Sequence, residues 1–172
     1  LLLKVLDLNP EHKDAKLHAQ TDCNGLGIKL HKEGNYKLAL KYFKIVIVLA
    51  PSEYFGHFNL GNTYYEIKDY KNAKVSFKKA ITCRPEYDSA HANLGATYRN
   101  LGNTEKSLSC YGEAIKTNPK NVSNYYGRAV TLKQAERIED AEENYRKAIS
   151  LDPKHVASSH NLALIYEERG QI

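Results

Sequence analysis

Residues 54–87, YFGHFNLGNTYYEIKDYKNAKVSFKKAITCRPEY, hold the pattern from which the rest of the chain can be read. His57, Leu60, Gly61 and Tyr64 recur at intervals of three and four, which places them on one face of a helix. A break follows at Lys68-Asp69, and Tyr70, Ala73, Phe77, Ala80 and Ile81 form a second stripe. Pro85 stops that second helix, because proline supplies no N–H and pushes its predecessor out of the helical region. Neither helix can bury its stripe alone. Folded against each other they can, and the small Gly61 and Ala73 let the two axes approach where Leu60, Tyr64 and Phe77 interlock.

The pattern returns at a fixed distance. Prolines stand at 51, 85, 119 and 153, three successive steps of 34 residues. The next unit repeats the order with His91, Leu94, Gly95, Tyr98, Ser107, Tyr111, Ala114 and Pro119. The preceding unit offers Cys23, Leu26, Gly27, Leu30, Ala39, Phe43, Val46 and Pro51. The following one keeps Tyr125, Ala129, Ala141, Tyr145, Ala148 and Pro153 but has Arg128 where leucine is expected. Four consecutive matches to this 34-residue order resemble the tetratricopeptide repeat (TPR) family. The resemblance implies an all-α fold: an α-solenoid, a right-handed superhelix of antiparallel helix-turn-helix units.

On this reading residues 1–172 form a single TPR array, with units at 20–53, 54–87, 88–121 and 122–155. A partial unit occupies 1–12, and a fifth begins at 156–172 with Leu162, Ala163 and Tyr166. From Pro10 to Pro51 the step is 41 residues, seven more than the period and close to two helical turns. Ala15, Ala19, Cys23, Leu26 and Leu30 carry one stripe through that insertion, so a single long helix is expected from Lys13 to Lys32, with 13–19 as its added start. Gly34-Asn35 and Gly102-Asn103 are expected to close first helices, glycine taking the left-handed conformation that a helix end needs. Arg137-Ile138-Glu139-Asp140 carries no glycine at the fourth turn, so that corner is expected to be tighter or more helical. Both ends read as cuts through a repeat, which makes the chain an excerpt of a longer array or a protein that stacks end to end.

Composition narrows the setting. A hydrophobic fraction of 42% and a charged fraction of 26% are those of an ordinary soluble domain. No apolar run reaches the roughly 20 residues that span a bilayer, and LLLKVLDLNP lacks the layout of a signal peptide. Cys23, Cys83 and Cys110 are odd in number and far apart, which suits small buried hydrophobes in a reducing compartment, the cytosol or nucleus. Residues 20–121 hold 15 Lys and Arg against 9 Asp and Glu, while residues 122–172 hold 7 against 8. Lys37, Lys41, Lys44, Lys71, Lys74, Lys78 and Lys79 place the excess on second helices. They read either as a solvated face or as a docking stripe for an acidic partner or polyanion. No nucleic-acid-reading motif accompanies them.

The sequence holds no constellation for catalysis, no metal set and no cofactor motif. His57 and His91 occupy equivalent positions in adjacent units, where an aromatic fills the bulky slot of the core edge. The residues that suggest function lie on the other side of the first helices. Phe55, Phe58, Asn62 and Tyr65 are spaced three, four and three, opposite the core stripe. In TPR arrays that side lines a concave groove where ligands bind, so the resemblance implies that Phe58 and Tyr65 are exposed.

Asn59, Asn93 and Asn161 take the same place in three units, with Gly25 and Gly127 interrupting the series. An amide donates and accepts at once, which suits it to a peptide backbone. The series resembles the asparagine ladder of the TPR arm of O-linked N-acetylglucosamine transferases. The carboxylate clamp of chaperone-binding TPR domains is not matched: Asn62 and Asn93 fit, but Phe58, Ser123 and Gly127 stand where its basic residues belong. Chaperone tails are therefore not the expected partner.

The expected function is a non-catalytic scaffold that binds a partner peptide or segment in the concave groove through Phe58, Asn59, Asn62, Tyr65, Asn93, Arg99, Tyr126 and Asn161. Arg99 would attract an acidic partner residue, and Gly127 would leave room for a bulky one. Two alternatives stand beside it: a substrate-recognition arm of a larger enzyme such as a glycosyltransferase, and an architectural repeat of a ciliary or transport assembly.

Overall fold

A computed structural model describes residues 13–170. The expected partial unit at 1–12 lies outside the described residues. Among these, every regular element is an α-helix: α1 Lys13–Lys32, α2 Tyr36–Leu49, α3 Tyr54–Glu66, α4 Tyr70–Cys83, α5 Asp88–Asn100, α6 Thr104–Thr117, α7 Val122–Gln134, α8 Ile138–Leu151 and α9 Val156–Glu168. They fall into two compact units that divide between Pro85 and Glu86. In the first, α1 packs on α2, α2 on α3 and α3 on α4. In the second, α5 pairs with α6, α6 meets α7, α7 pairs with α8, and α9 packs on α8.

Each helix pair is built around one ring. Phe43 of α2, Phe77 of α4 and Tyr145 of α8 are at most 1% exposed, and Tyr111 of α6 is 4% exposed. Alanines flank two of these rings one turn on either side, Ala73 and Ala80 around Phe77, Ala141 and Ala148 around Tyr145, all with no exposed surface. The facing helix supplies glycine where the ring arrives. A Cβ on Gly27 would stand 2.6 Å from the Phe43 ring, and one on Gly61 would stand 2.7 Å from the Phe77 ring. These glycines are therefore required by contact, since methyl groups at such distances would force the axes apart.

The turns within pairs share one geometry. Gly34, Lys68, Gly102 and Glu136 all have positive φ, at 77°, 60°, 73° and 59°. The next residue bonds back across the helix end in each case: Asn35 N–H to the Leu30 carbonyl, Asp69 to Tyr64, Asn103 to Tyr98 and Arg137 to Leu132, at 2.8, 2.8, 2.9 and 3.0 Å. This is a Schellman closure. The fourth corner thus differs from expectation. It is neither tighter nor more helical, because Glu136 adopts the left-handed conformation that glycine takes at Gly34 and Gly102. The turns between pairs are set by proline instead. Ala50, Arg84, Asn118 and Asp152 precede the four prolines with φ between −136° and −143°, as the steric clash with the proline ring demands.

Helix α1 runs unbroken over the inserted turns, with Ala15, Ala19 and Cys23 buried along its stripe. Leu26 departs from that stripe at 39% exposed, whereas its equivalents Leu60 and Leu94 are 8% and 5% exposed. The cysteines also differ from one another: none forms a disulfide, but only Cys23 is buried, while Cys83 and Cys110 are half-buried.

Candidate partner-binding face

Within the first unit, α1 and α3 present adjacent residues beside the core. Asn59 Nδ2 donates to Asn24 Oδ1 at 3.0 Å. Thr63 Oγ1 donates to the Asn59 carbonyl at 2.8 Å, a bond back along its own helix. His31 Nδ1 lies 3.0 Å from the same threonine oxygen. Asn59, Asn62, His31 and Lys32 then surround a hollow of about 80 Å³ with Ile28 and Phe43 at its base. That volume suits one short side chain, well below the few hundred Å³ of a typical small-molecule site.

Phe58 and Tyr65 flank this region and are both half-buried, so neither is as exposed as the resemblance implied. The reason is local. The Phe58 ring packs 5.9 Å from Phe77, and the Tyr65 ring meets Tyr70 edge-on at 5.4 Å, so each leans on its own second helix.

In the second unit Tyr126 sits between Tyr145, at 6.1 Å, and His155, at 5.3 Å. Burial pushes the Tyr145 phenol up to about 12; the neighbouring Tyr126 adds to this, and Arg99 opposes it. Arg99 and Tyr126 therefore share the surroundings of one buried hydroxyl, which has no hydrogen-bond partner among the described residues. Asn93 is half-buried on α5. Asn161 Nδ2 turns back to the Ala157 carbonyl at 2.9 Å. Gly127 corrects an expectation: the space beside it is not open to a bulky partner residue. Tyr111 fills it, its hydroxyl 2.6 Å from where a Cβ would stand.

Two features escaped the sequence reading. Asn24, one repeat length plus one residue before Asn59, is its partner. Thr63, Thr97 and Thr131 form a buried series with the same 34-residue spacing, each donating to the carbonyl four residues earlier at 2.8, 2.6 and 3.0 Å. The spacing was a visible signal; a threonine among apolar positions simply does not advertise burial. No group of three or more His, Cys, Asp or Glu among the described residues is placed to hold a metal ion. No helix among them is long and apolar enough to cross a membrane.

Comparison with known proteins agrees with this architecture. Family models described as Tetratricopeptide repeat match residues 89–121, 124–155 and 144–172, and one described as TPR repeat matches residues 61–102. The chain belongs to the tetratricopeptide repeat family. No curated protein is significantly similar in sequence. Among solved structures, MamA from Desulfovibrio magneticus is 19% identical, with a TM-score of 0.79 over 89% of this chain and 86% of that one. Pseudomonas aeruginosa PilF is 16% identical, with a TM-score of 0.83 over 91% of this chain and 71% of that one. The first TPR of Spaghetti (RPAP3), bound to an HSP90 peptide, is 19% identical, with a TM-score of 0.66 over 69% of this chain and 94% of that one. At these identities the likeness is one of fold.

Proposed function

We propose that the chain is a non-catalytic protein-interaction scaffold whose first-helix face takes an extended segment of a partner protein, in the groove that is concave in the family. The observation that carries this reading is the hollow between α1 and α3, where Asn59, Asn62, His31 and Lys32 set polar groups around an apolar base of Ile28 and Phe43. A side chain seated there would bury apolar surface while its backbone met the amides at the rim. Asn59 has committed one N–H to Asn24, so its second N–H and its side-chain oxygen are left for a partner. In the second unit Asn93, Arg99, Tyr126 and Asn161 are the corresponding contacts. That the structure of the first TPR of Spaghetti contains an HSP90 peptide supports a peptide as the class of ligand. The mismatched clamp positions Phe58, Ser123 and Gly127 argue against the same peptide here.

The test uses peptides selected from a random library for binding to the chain. Phe58→Ala with Asn62→Ala should weaken them tenfold or more, while Lys41→Glu on the exposed side of α2 should not. Circular dichroism should show unchanged helicity for both. Peptides that tolerate the first pair and are lost with Lys41→Glu would place binding on the second helices instead.

A further inference from the structure

Arg128 stands in α7 where the three preceding units carry Leu26, Leu60 and Leu94. A leucine there fills the core edge; an arginine brings five N–H donors on a planar fork into the same place. The Arg128 Nε is sealed from solvent and has no hydrogen-bond partner among the described residues. Buried donors are nearly always paired, so the orphan marks a guanidinium that its own chain has not fully bonded.

Arg128 also lines a cleft of about 600 Å³ between α7 and α8, within the range of real ligand sites. Four basic side chains in the lining, Arg128, Arg137, Arg146 and Lys147, stand against two acidic ones, Asp140 and Glu143, an excess of two positive charges. Arg137 is paired with Asp140 at 2.6 Å, and Arg146 shares Glu142 with Arg169. Carboxylates of an acidic segment complement that excess. Tyr125, Asn144 and Ser150 supply polar groups along the walls, and the buried Leu132 forms an apolar floor.

We propose that this cleft is a second binding site, separate from the first-helix face, that takes an aspartate or glutamate side chain of a partner protein's acidic segment, with the Arg128 guanidinium as its anchor. The carboxylate would meet the outer Nη groups of the fork, since Nε itself is sealed from solvent.

The experiment titrates a fluorescein-labelled Ser-Gly-Glu-Glu-Gly-Ser peptide into the whole chain, following anisotropy and backbone amide shifts by NMR. Saturable binding is expected, with the shifts confined to α7 and α8. Arg128→Leu restores the residue that two of the other units bury at this point, Leu60 and Leu94, so its melting should not fall, and it should weaken the peptide at least tenfold. Arg128→Lys, which keeps the charge and loses the fork, should weaken it as well. The Gln-Gln version of the peptide should not bind, and inorganic phosphate should compete only weakly. The proposal is overturned if Arg128→Leu binds like the parent, if the Gln-Gln peptide binds equally, or if phosphate displaces the peptide at equal concentration.

Discussion

In residues 13–85 the ring wedged between paired helices is a phenylalanine, Phe43 or Phe77; in residues 86–170 it is a tyrosine, Tyr111 or Tyr145. The first unit meets its rings with Gly27 and Gly61, so ring and backbone are in direct contact. The second keeps Gly95 opposite Tyr111 but places Ala129 at the next equivalent position, and one of its two hydroxyls, that of Tyr145, ends without a partner. Charged groups do part of the joining there. Asn118 and Asn121 both donate to Asp88, at 3.2 and 2.8 Å, and Arg169 ties α9 to Glu139 and Glu142 of α8, both at 2.7 Å. The first unit links α1 to α3 with uncharged side chains instead, Asn24 to Asn59 and His31 to Thr63.

The sharpest way to break the comparison is to remove the rings. Phe77→Ala deletes a fully buried ring and should cost about 3–5 kcal/mol in denaturant unfolding. Tyr145→Phe removes only the orphaned hydroxyl and should be neutral or stabilise by about 1 kcal/mol. A loss of stability from Tyr145→Phe would mean that the hydroxyl is satisfied, and the contrast between the units would shrink to ring size.

The turns test the opposite claim, that the units share one frame. Lys68 and Glu136 hold positive φ at a cost that glycine does not carry. Lys68→Gly and Glu136→Gly should each raise stability by about 1 kcal/mol, and Gly34→Ala and Gly102→Ala should lower it by a similar amount. Equal effects in the two units are expected from thermal melts. Unequal ones would show that the corners are strained by their surroundings rather than by φ alone.

These turns also show where a sequence is readable and where it is not. The helix pairs, the long α1 and the prolines followed from period and sterics, since each rests on spacing or on a single residue's backbone. The fourth corner did not, because glycine is one way to reach the left-handed region and Glu136 reaches it under tertiary constraint. The candidate face was legible as a set of positions but not as a set of free groups. Nothing in a list of asparagines says that Asn59 will meet Asn24, that Asn161 will turn to its own helix, or that Tyr111 will occupy the space at Gly127. Those outcomes depend on distances of an ångström between helices, and a 34-residue period does not encode them.

Acid should separate the units, though by less than the substitutions above. His57, 7% exposed, has its pKa lowered by burial and by Lys79, against the opposing Pro51 carbonyl. The unfolded chain therefore takes up that proton more readily, and His57's contribution is complete above about 6.5 and lost as pH falls from there through the lower folded value. For Glu142 partial burial pulls its carboxyl upward, but hydrogen bonds from Tyr166, Arg146 and Arg169 together outweigh it and hold it below the ordinary carboxylate range. Its contribution persists above about 4.3 and disappears only as pH drops through its lower folded value. Residue-resolved hydrogen exchange should then show protection falling first in residues 13–85 and later at α8 and α9. His57→Phe should remove the early step. Glu142→Gln should loosen α9 at neutral pH by roughly threefold in exchange rate, the modest size expected of a partly exposed, salt-screened network. Protection lost simultaneously in both units would mean that neither group governs its own half, and that the two chemistries are coupled through the chain.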